Sequence, residues 1–300
     1  MGKATIRSQF EDLTVWSRGD ERAPHKPLLV LLALAELERG NRWVRFLDVD
    51  EHVTELLKEF GPPRKSHHAE YPFWRLQNDD VWTVLDAENL TRRSSNTDPL
   101  KSELKDHNNR AGFPDDVWAV LEDDPALRHQ IARMLLDEHF ADSLHEDILD
   151  AVGLDLTYQS TKRPSRDPAF RKEVLRAYRY QCAVCGFDLK LDARPVGLEA
   201  AHIKWRQAKG PDEVSNGICL CALHHKMLDK GAIHFTVDLR LLLSESLHGS
   251  DPHFADLLER EGERIHAPQR EVYYPQKDFV HWHVQEVFRG KSSRNTVRTN

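Results

Sequence analysis

Four cysteines in a chain of 300 residues all fall between Cys182 and Cys221, and they come with histidine at a matching step. Cys182-Ala-Val-Cys185 sets two thiols three positions apart, and Gly186 permits a tight turn beneath them. Cys221-Ala-Leu-His224 repeats the step about 35 residues later, with imidazole in place of the second thiol. Paired knuckles at this spacing predict a structural Cys3His zinc site made of Cys182, Cys185, Cys221 and His224, which ties two distant segments into one small domain. Cysteines clustered in this way suit metal binding in a reducing compartment better than a disulfide framework. Cys219 is left over and is expected as a buried apolar residue.

His225 is then free of that site. On a helix starting here it shares a face with Asp229, four positions on, as two ligands of one further divalent ion would. His202 lies in the apolar, extended-looking segment GLEAAHI, and Asn216-Gly217 marks a loop between them. Taken singly, such residues are ordinarily a hydrogen-bonded core histidine, a turn and an exposed imidazole; it is their order that carries weight.

The order Cys-x-x-Cys, GLEAA-His202, Asn216, Cys-x-x-His-His225 resembles the HNH endonucleases over about residues 168 to 245. The resemblance implies a ββα-metal (His-Me finger) fold. It implies that His202 is the general base, that Asn216 holds the loop orienting it or contacts the metal, and that His225, with Asp229, ligates a catalytic Mg2+, Mn2+ or similar ion. Many members carry Asp or His immediately before the base, where this chain has Ala201; either Glu199 on the same strand face supplies a ligand or water fills the place.

Outside this module the chain changes character. Residues 1 to 160 hold 19 Lys and Arg against 31 Asp and Glu, a net charge of −12, whereas the remainder is at +5. Binding of a polyanion by the front half therefore needs a local basic patch. Leu28 to Glu38 reads as a buried helix after Pro27, and Asp48 or Asp50 is placed to cap another through Phe60. YPFWRLQ and VWTVL flanking Asn78-Asp79-Asp80 read as a hairpin, so helix, helix and hairpin suggest a winged-helix-like reader. Asp124-Pro125 starts a helix through Phe140, and residues 145 to 152 form another. A polar stretch interrupted by two prolines, between Leu154 and Pro168, separates a domain over 1–158 from one over 159–300. Asp167-Pro168 is expected to cap the next helix, Asp251 to Phe288 to pack as helix and strand, and the last ten residues to fray as a basic tail. The fold class expected is thus α+β. No run approaches the length of a membrane span, so a cytoplasmic protein is expected.

RGDERAPHKPLLVLLAL and HAEYPFWRLQNDDVW resemble the sulfur-binding domain of restriction endonucleases that attack phosphorothioated DNA, over about residues 5 to 150. Together the halves resemble McrA-like type IV restriction enzymes. The resemblance implies double-stranded DNA as partner, with Tyr71, Pro72 and Phe73 offering an apolar face to sulfur. Around them Arg22, His25, Lys26, Arg75 and Arg110 would meet phosphates or base edges. Sulfur in place of a non-bridging oxygen is larger and less hydrated, so an apolar pocket penalises it less. A reader of methylated or hydroxymethylated cytosine, and a non-catalytic zinc-stabilised DNA-binding protein, are the competing expectations. One site per chain against two strands of DNA implies a homodimer.

Overall fold

The computed structural model describes residues 2–16, 19–94, 96, 98–156 and 168–290. Its packing divides the chain into two units, Met1–Thr161 and Lys162–Asn300.

The first unit is mainly helical. Its elements run α1 Lys3–Glu11, α2 His25–Glu38, β1 Trp43–Arg45, α3 Phe46–Phe60, α4 Glu70–Arg75, β2 Thr83–Val84, α5 Lys101–His107, β3 Arg110–Gly112, α6 Asp115–Asp123, α7 Pro125–His139 and α8 His145–Val152. Helix α2 is apolar all round and lies at the centre, with Leu28 to Leu31, Leu34 and Ala35 fully buried. Pro27 falls in its first turn, where a missing N–H removes no intrahelical bond. Asp124 caps α7 as expected, its side chain accepting from the Leu127 N–H. The cap foreseen at Asp48 or Asp50 is not used: α3 begins at Phe46 with Arg45 before it, and both aspartates lie inside the helix.

The expected 71–77/81–85 hairpin is replaced. Residues Glu70–Arg75 are helical, and a 3-10 turn over Leu76–Asp79 continues them to Asp80, whose φ of 57° ends the run. The reason is visible in burial: Pro72, Phe73, Trp74 and Leu76 all face inward, a helical pattern rather than the alternation of a strand. Pro72, third in α4, sits where helices tolerate proline. Thr83–Val84 pairs instead with β3, which also pairs antiparallel with β1, giving the order β1-β3-β2. Residues 71–77 and 81–85 thus do not form the hairpin on which the winged-helix-like expectation rested.

The second unit begins with α9 Pro168–Ala177 and continues through β4 Lys190–Leu191, β5 Arg194–Pro195, β6 Leu198–His202, β7 Gly217–Cys221, α10 Ala222–Asp229, β8 Ile233–Phe235, β9 Leu241–Leu243, α11 Pro252–Glu259 and α12 Lys277–Glu286. Strands β6 and β7 pair antiparallel, from Leu198 opposite Cys221 to His202 opposite Gly217. Helix α9 closes over them. A Cβ at Gly217 would stand 2.4 Å from Val174 Cγ2 and 3.1 Å from the Phe170 ring, so glycine here permits close approach of helix to sheet; its φ is extended and makes no turn. Among the described residues the 251–288 stretch holds helices and no strand, with Val287 and Phe288 buried as irregular chain. The Asp167 cap and the 291–300 tail lie outside the described residues. No helix among the described residues is long and apolar enough to cross a membrane.

Candidate active site and metal centre

Two backbone devices bring the cysteine pairs together. After α9 the chain reverses through Arg179 and Tyr180, both at positive φ, and enters the knuckle, where the Cys182 N–H donates to Phe187 O and the Gly186 N–H to Cys182 O. Gly186 takes φ 77°, a conformation open to glycine at little cost. Cys221 ends β7, and His224 follows in the first turn of α10. As a result the ligand atoms of Cys182, Cys185, Cys221 and His224 all lie within 4.8 Å of one another. His224 Nδ1 is 3.1 Å from Cys221 Sγ and 3.6 Å from Cys182 Sγ. Tetrahedral zinc–thiolate bonding spaces its sulfurs about 3.8 Å apart, so the donor set and its dimensions fit such an ion.

Without an ion the four side chains are close enough to share protons. Hydrogen bonds from Cys185 and Cys221, then burial, push the Cys182 thiol up, while contacts with Cys182, Cys185 and His224 hold Cys221 far down, as thiolate. Burial alone would lower His224, but hydrogen bonds to Cys185 and Cys221 raise it to about 9. A bound cation would take the place of these shared protons. Cys219 stands outside the cluster, fully buried, its thiol pushed up to about 12 by burial.

One residue beyond His224, the helix turns its next imidazole to a different neighbourhood. His225 Nδ1 lies 2.5 Å from Glu199 Oε2, and its Nε2 lies 3.2 Å from Asp229 Oδ2. Glu199 and Asp229 therefore engage opposite nitrogens of one ring. Glu199 approaches the nitrogen that faces away from Asp229, whereas Nε2 and Asp229 Oδ2 are adjacent donors with the bite of a pair of ligands. Burial works to lower His225, but Asp229 and then Glu199 raise it to about 9. The Trp205 indole N–H donates to Asp229 Oδ1 at 2.9 Å, which fixes the carboxylate and leaves Oδ2 toward His225.

His202 closes β6 on the other side of the loop. Its ring stacks on Phe170 with centroids 4.2 Å apart and planes 14° apart, and its Nε2 is 2.7 Å from Asp212 Oδ1. Burial lowers its pKa, against the opposing pull of Asp212, so it is neutral near pH 7. Asn216 is fully buried, and its side chain is occupied by the intervening loop: Oδ1 accepts from the Lys204 N–H, and Nδ2 donates to the carbonyls of Lys204 and Pro211, each at 2.9 Å. Gly210 makes this possible, since a Cβ there would meet Lys204 O at 1.8 Å.

In the first unit the residues named from sequence separate into two groups. His25, lowered to about 4 by burial and by the neighbouring His67 and His68, opens α2. His68 stacks on Tyr71 with centroids 4.8 Å apart, and the Arg75 guanidinium lies 4.4 Å from the same ring while bonding Asp98 at 2.6 and 3.0 Å. Arg22 donates to Phe60 O at 2.7 Å. By contrast Lys26 is paired with Asp79 in a largely buried ion pair, and Phe73 is core, edge-on to Phe46 at 4.9 Å. Pro72 is buried, and Arg110 stands exposed on β3 opposite Arg45. Sequence reasoning passed over Asp212 and His68. His68 stands two residues before α4, and nothing in the spacing announces its stack on Tyr71. It is fixed by Glu70 at 2.8 Å and Ser66 at 3.0 Å.

Residues 3–157 match the family described as ScoMcrA-like, DNA sulfur-binding domain. The chain belongs to this family. Residues 182–236, the knuckles and the β6-β7-α10 module, match the HNH endonuclease family. Among solved structures, the sulfur-binding domain of ScoMcrA complexed with phosphorothioated DNA is similar to this sulfur-binding family member at 26% identity and TM-score 0.44, over 49% of this chain and 94% of that one. The type IV phosphorothioation-dependent restriction endonuclease ScoMcrA is similar at 25% identity and TM-score 0.42, over 59% of this chain and 34% of that one, so the chain spans about a third of that enzyme's length. The sulfur-binding domain of SprMcrA complexed with phosphorothioated DNA is similar at 22% identity and TM-score 0.42, over 51% and 95%. Curated protein sequences give no match.

Proposed function

We propose that this chain is a modification-dependent (type IV) restriction endonuclease, which binds phosphorothioated duplex DNA through its sulfur-binding segment and hydrolyses phosphodiester bonds with its HNH segment. The observation that carries the reading is the joining, in one chain, of a DNA sulfur-binding family match with an HNH match. Within the second, a neutral histidine, a histidine–carboxylate pair and a Cys3His cluster come together. Zinc is the structural ion that three thiols and one imidazole favour.

His202 takes a proton from the attacking water, for which its burial-lowered pKa keeps it neutral. Asn216 staples the loop from Lys204 to Pro211 and so sets where His202 and its neighbours lie. His225 Nε2 and Asp229 would hold a divalent cation such as Mg2+ or Mn2+, which when bound neutralises charge on the phosphate and on the departing 3′ oxygen. The carboxylates that hold a proton on His225 favour positive charge at this point for the same electrostatic reason. Glu199, at the opposite nitrogen, orients the ring rather than filling the place that Ala201 leaves open. Hydrolysis by water attack leaves 5′ phosphates.

In the reader, the half-buried Tyr71 presents its ring to sulfur, held by the His68 stack and the Arg75 guanidinium. Sulfur loses less hydration than oxygen against such a surface, which supplies the discrimination. Arg22, His25, Arg75 and Arg110 are the groups assigned here to neighbouring phosphates or base edges. Cleavage of both strands calls for two copies of the site, hence a homodimer, acting on DNA in the cytoplasm.

The reader is tested by comparing affinity for three duplexes of one sequence: unmodified, cytosine-methylated and phosphorothioated. The phosphorothioated duplex is expected to bind at least about tenfold more tightly, about 1.4 kcal/mol. Equal affinity for all three would remove modification from the account, and preference for the methylated one would transfer the reader to modified cytosine.

A further inference from the structure

The loop between β6 and β7 supports an acidic residue against the base. Asn216 Nδ2 donates to Pro211 O, the Gly210 N–H donates to Trp205 O at 2.9 Å, and the chain leaves this clasp at Asp212, whose Oδ1 is 2.7 Å from His202 Nε2. On its face the ring is stacked on Phe170, so it cannot swing without losing both contacts. An ionised carboxylate only accepts hydrogen bonds, so Nε2 must be the protonated nitrogen of the neutral ring.

We infer that Asp212 is a positioning residue for His202: it fixes the Nε2–H tautomer and thereby makes Nδ1 the atom that accepts the proton of the attacking water. This inference rests on the nuclease reading above. As the water oxygen bonds to phosphorus and the P–O3′ bond breaks, the water proton passes to Nδ1. The ring, now cationic, keeps its Nε2–H on Asp212, returns the Nδ1 proton to solvent, and the 3′ oxygen takes a proton from solvent. Asn216 acts through this arrangement, since its bond to Pro211 sets the residue next to Asp212. The charged groups facing His202 are Asp212 from the loop and Asp229 from α10, which favour protonation, and Arg206, which opposes it; α9 contributes the uncharged Phe170.

The test is the pH dependence of single-turnover cleavage by the full chain on phosphorothioated duplex, for wild type, Asp212→Asn, Asp212→Ala and His202→Ala. Both Asp212 variants are expected to lose about 100-fold in rate. Their acid limb is expected to move to lower pH, because an imidazole deprived of its carboxylate protonates less readily, while zinc content and duplex affinity stay as in wild type. A uniform fall with the acid limb unmoved, or no fall at all beside an inactive His202→Ala, overturns the inference and leaves the nuclease reading standing. Wild-type cleavage by His202→Ala removes the base assignment itself. Nitrogen NMR supplies a readout independent of turnover: the His202 signal, found by difference from His202→Gln, should show a protonated Nε2 and a bare Nδ1. The reverse pattern contradicts the assignment.

Discussion

His202→Ala is expected to reduce cleavage of bound DNA by about 10²- to 10⁴-fold, the range general base catalysis commonly supplies. The ring lies at the end of β6, against Phe170 and Asp212, neither of which belongs to the Cys3His cluster. Its loss therefore removes proton transfer while leaving the frame intact. Single-turnover rates at saturating enzyme, beside zinc content and duplex affinity, check this. In wild type the activity should persist somewhat below the usual histidine range on the acid side, because burial lowers the pKa of His202 and the base works only when neutral. A variant that cuts at the wild-type rate would show that another group takes the proton.

Removing the zinc proposed for the Cys3His cluster is expected to have the larger effect. The Cys3His cluster joins the segment after α9 to the β7–α10 corner, and both His202 and His225 take their places from elements anchored there. Structural zinc in small domains contributes about 10–16 kcal/mol of apparent binding energy, comparable to or larger than the roughly 5–15 kcal/mol that stabilises a typical fold. Chelation, or Cys182→Ser, should therefore abolish cleavage and unfold the second unit. The buried Trp205 and Trp282, whose rings meet edge-on at 5.9 Å, would become exposed and their fluorescence would shift to the red. Binding of phosphorothioated duplex by the first unit should survive. Full activity and unchanged fluorescence after complete chelation would mean that the four side chains form a metal-free core.

The second unit was the more legible half of the sequence, for a physical reason. Metal ligation needs particular side chains at particular steps, so Cys182, Cys185, Cys221 and His224 announce their proximity across 40 residues with no knowledge of the chain between. What the ligands cannot announce is contact made by the intervening loop. Asp212 and Trp205 are ordinary residues of a polar stretch until Asn216 folds that stretch back on itself. Glu199 meets His225 from β6, but which nitrogen of the ring it reaches depends on ring orientation, which spacing leaves open.

In the first unit aromatic content misled. Tyr, Phe and Trp at 71, 73 and 74 favour strands by propensity. Yet 72, 73 and 74 are buried in succession, which the alternation of a half-buried strand does not give, and the chain is helical there. The same error turned Phe73 outward as a sulfur contact, when it belongs to the core with Phe46. Lys26 misled in another way: a basic residue in an acidic domain invites a phosphate, but Asp79 already neutralises it.

Sulfur in the DNA backbone is expected to direct the nuclease site framed by the Cys3His cluster to cut. This is tested most directly by incubating the full chain and a divalent cation with two duplexes of identical sequence, one bearing phosphorothioate linkages and one not, and measuring strand scission. Cleavage confined to the phosphorothioated duplex, with 5′-phosphate ends and abolished in His202→Ala, is the result expected. Equal cleavage of both duplexes, or none of a phosphorothioated duplex that is demonstrably bound, would contradict it.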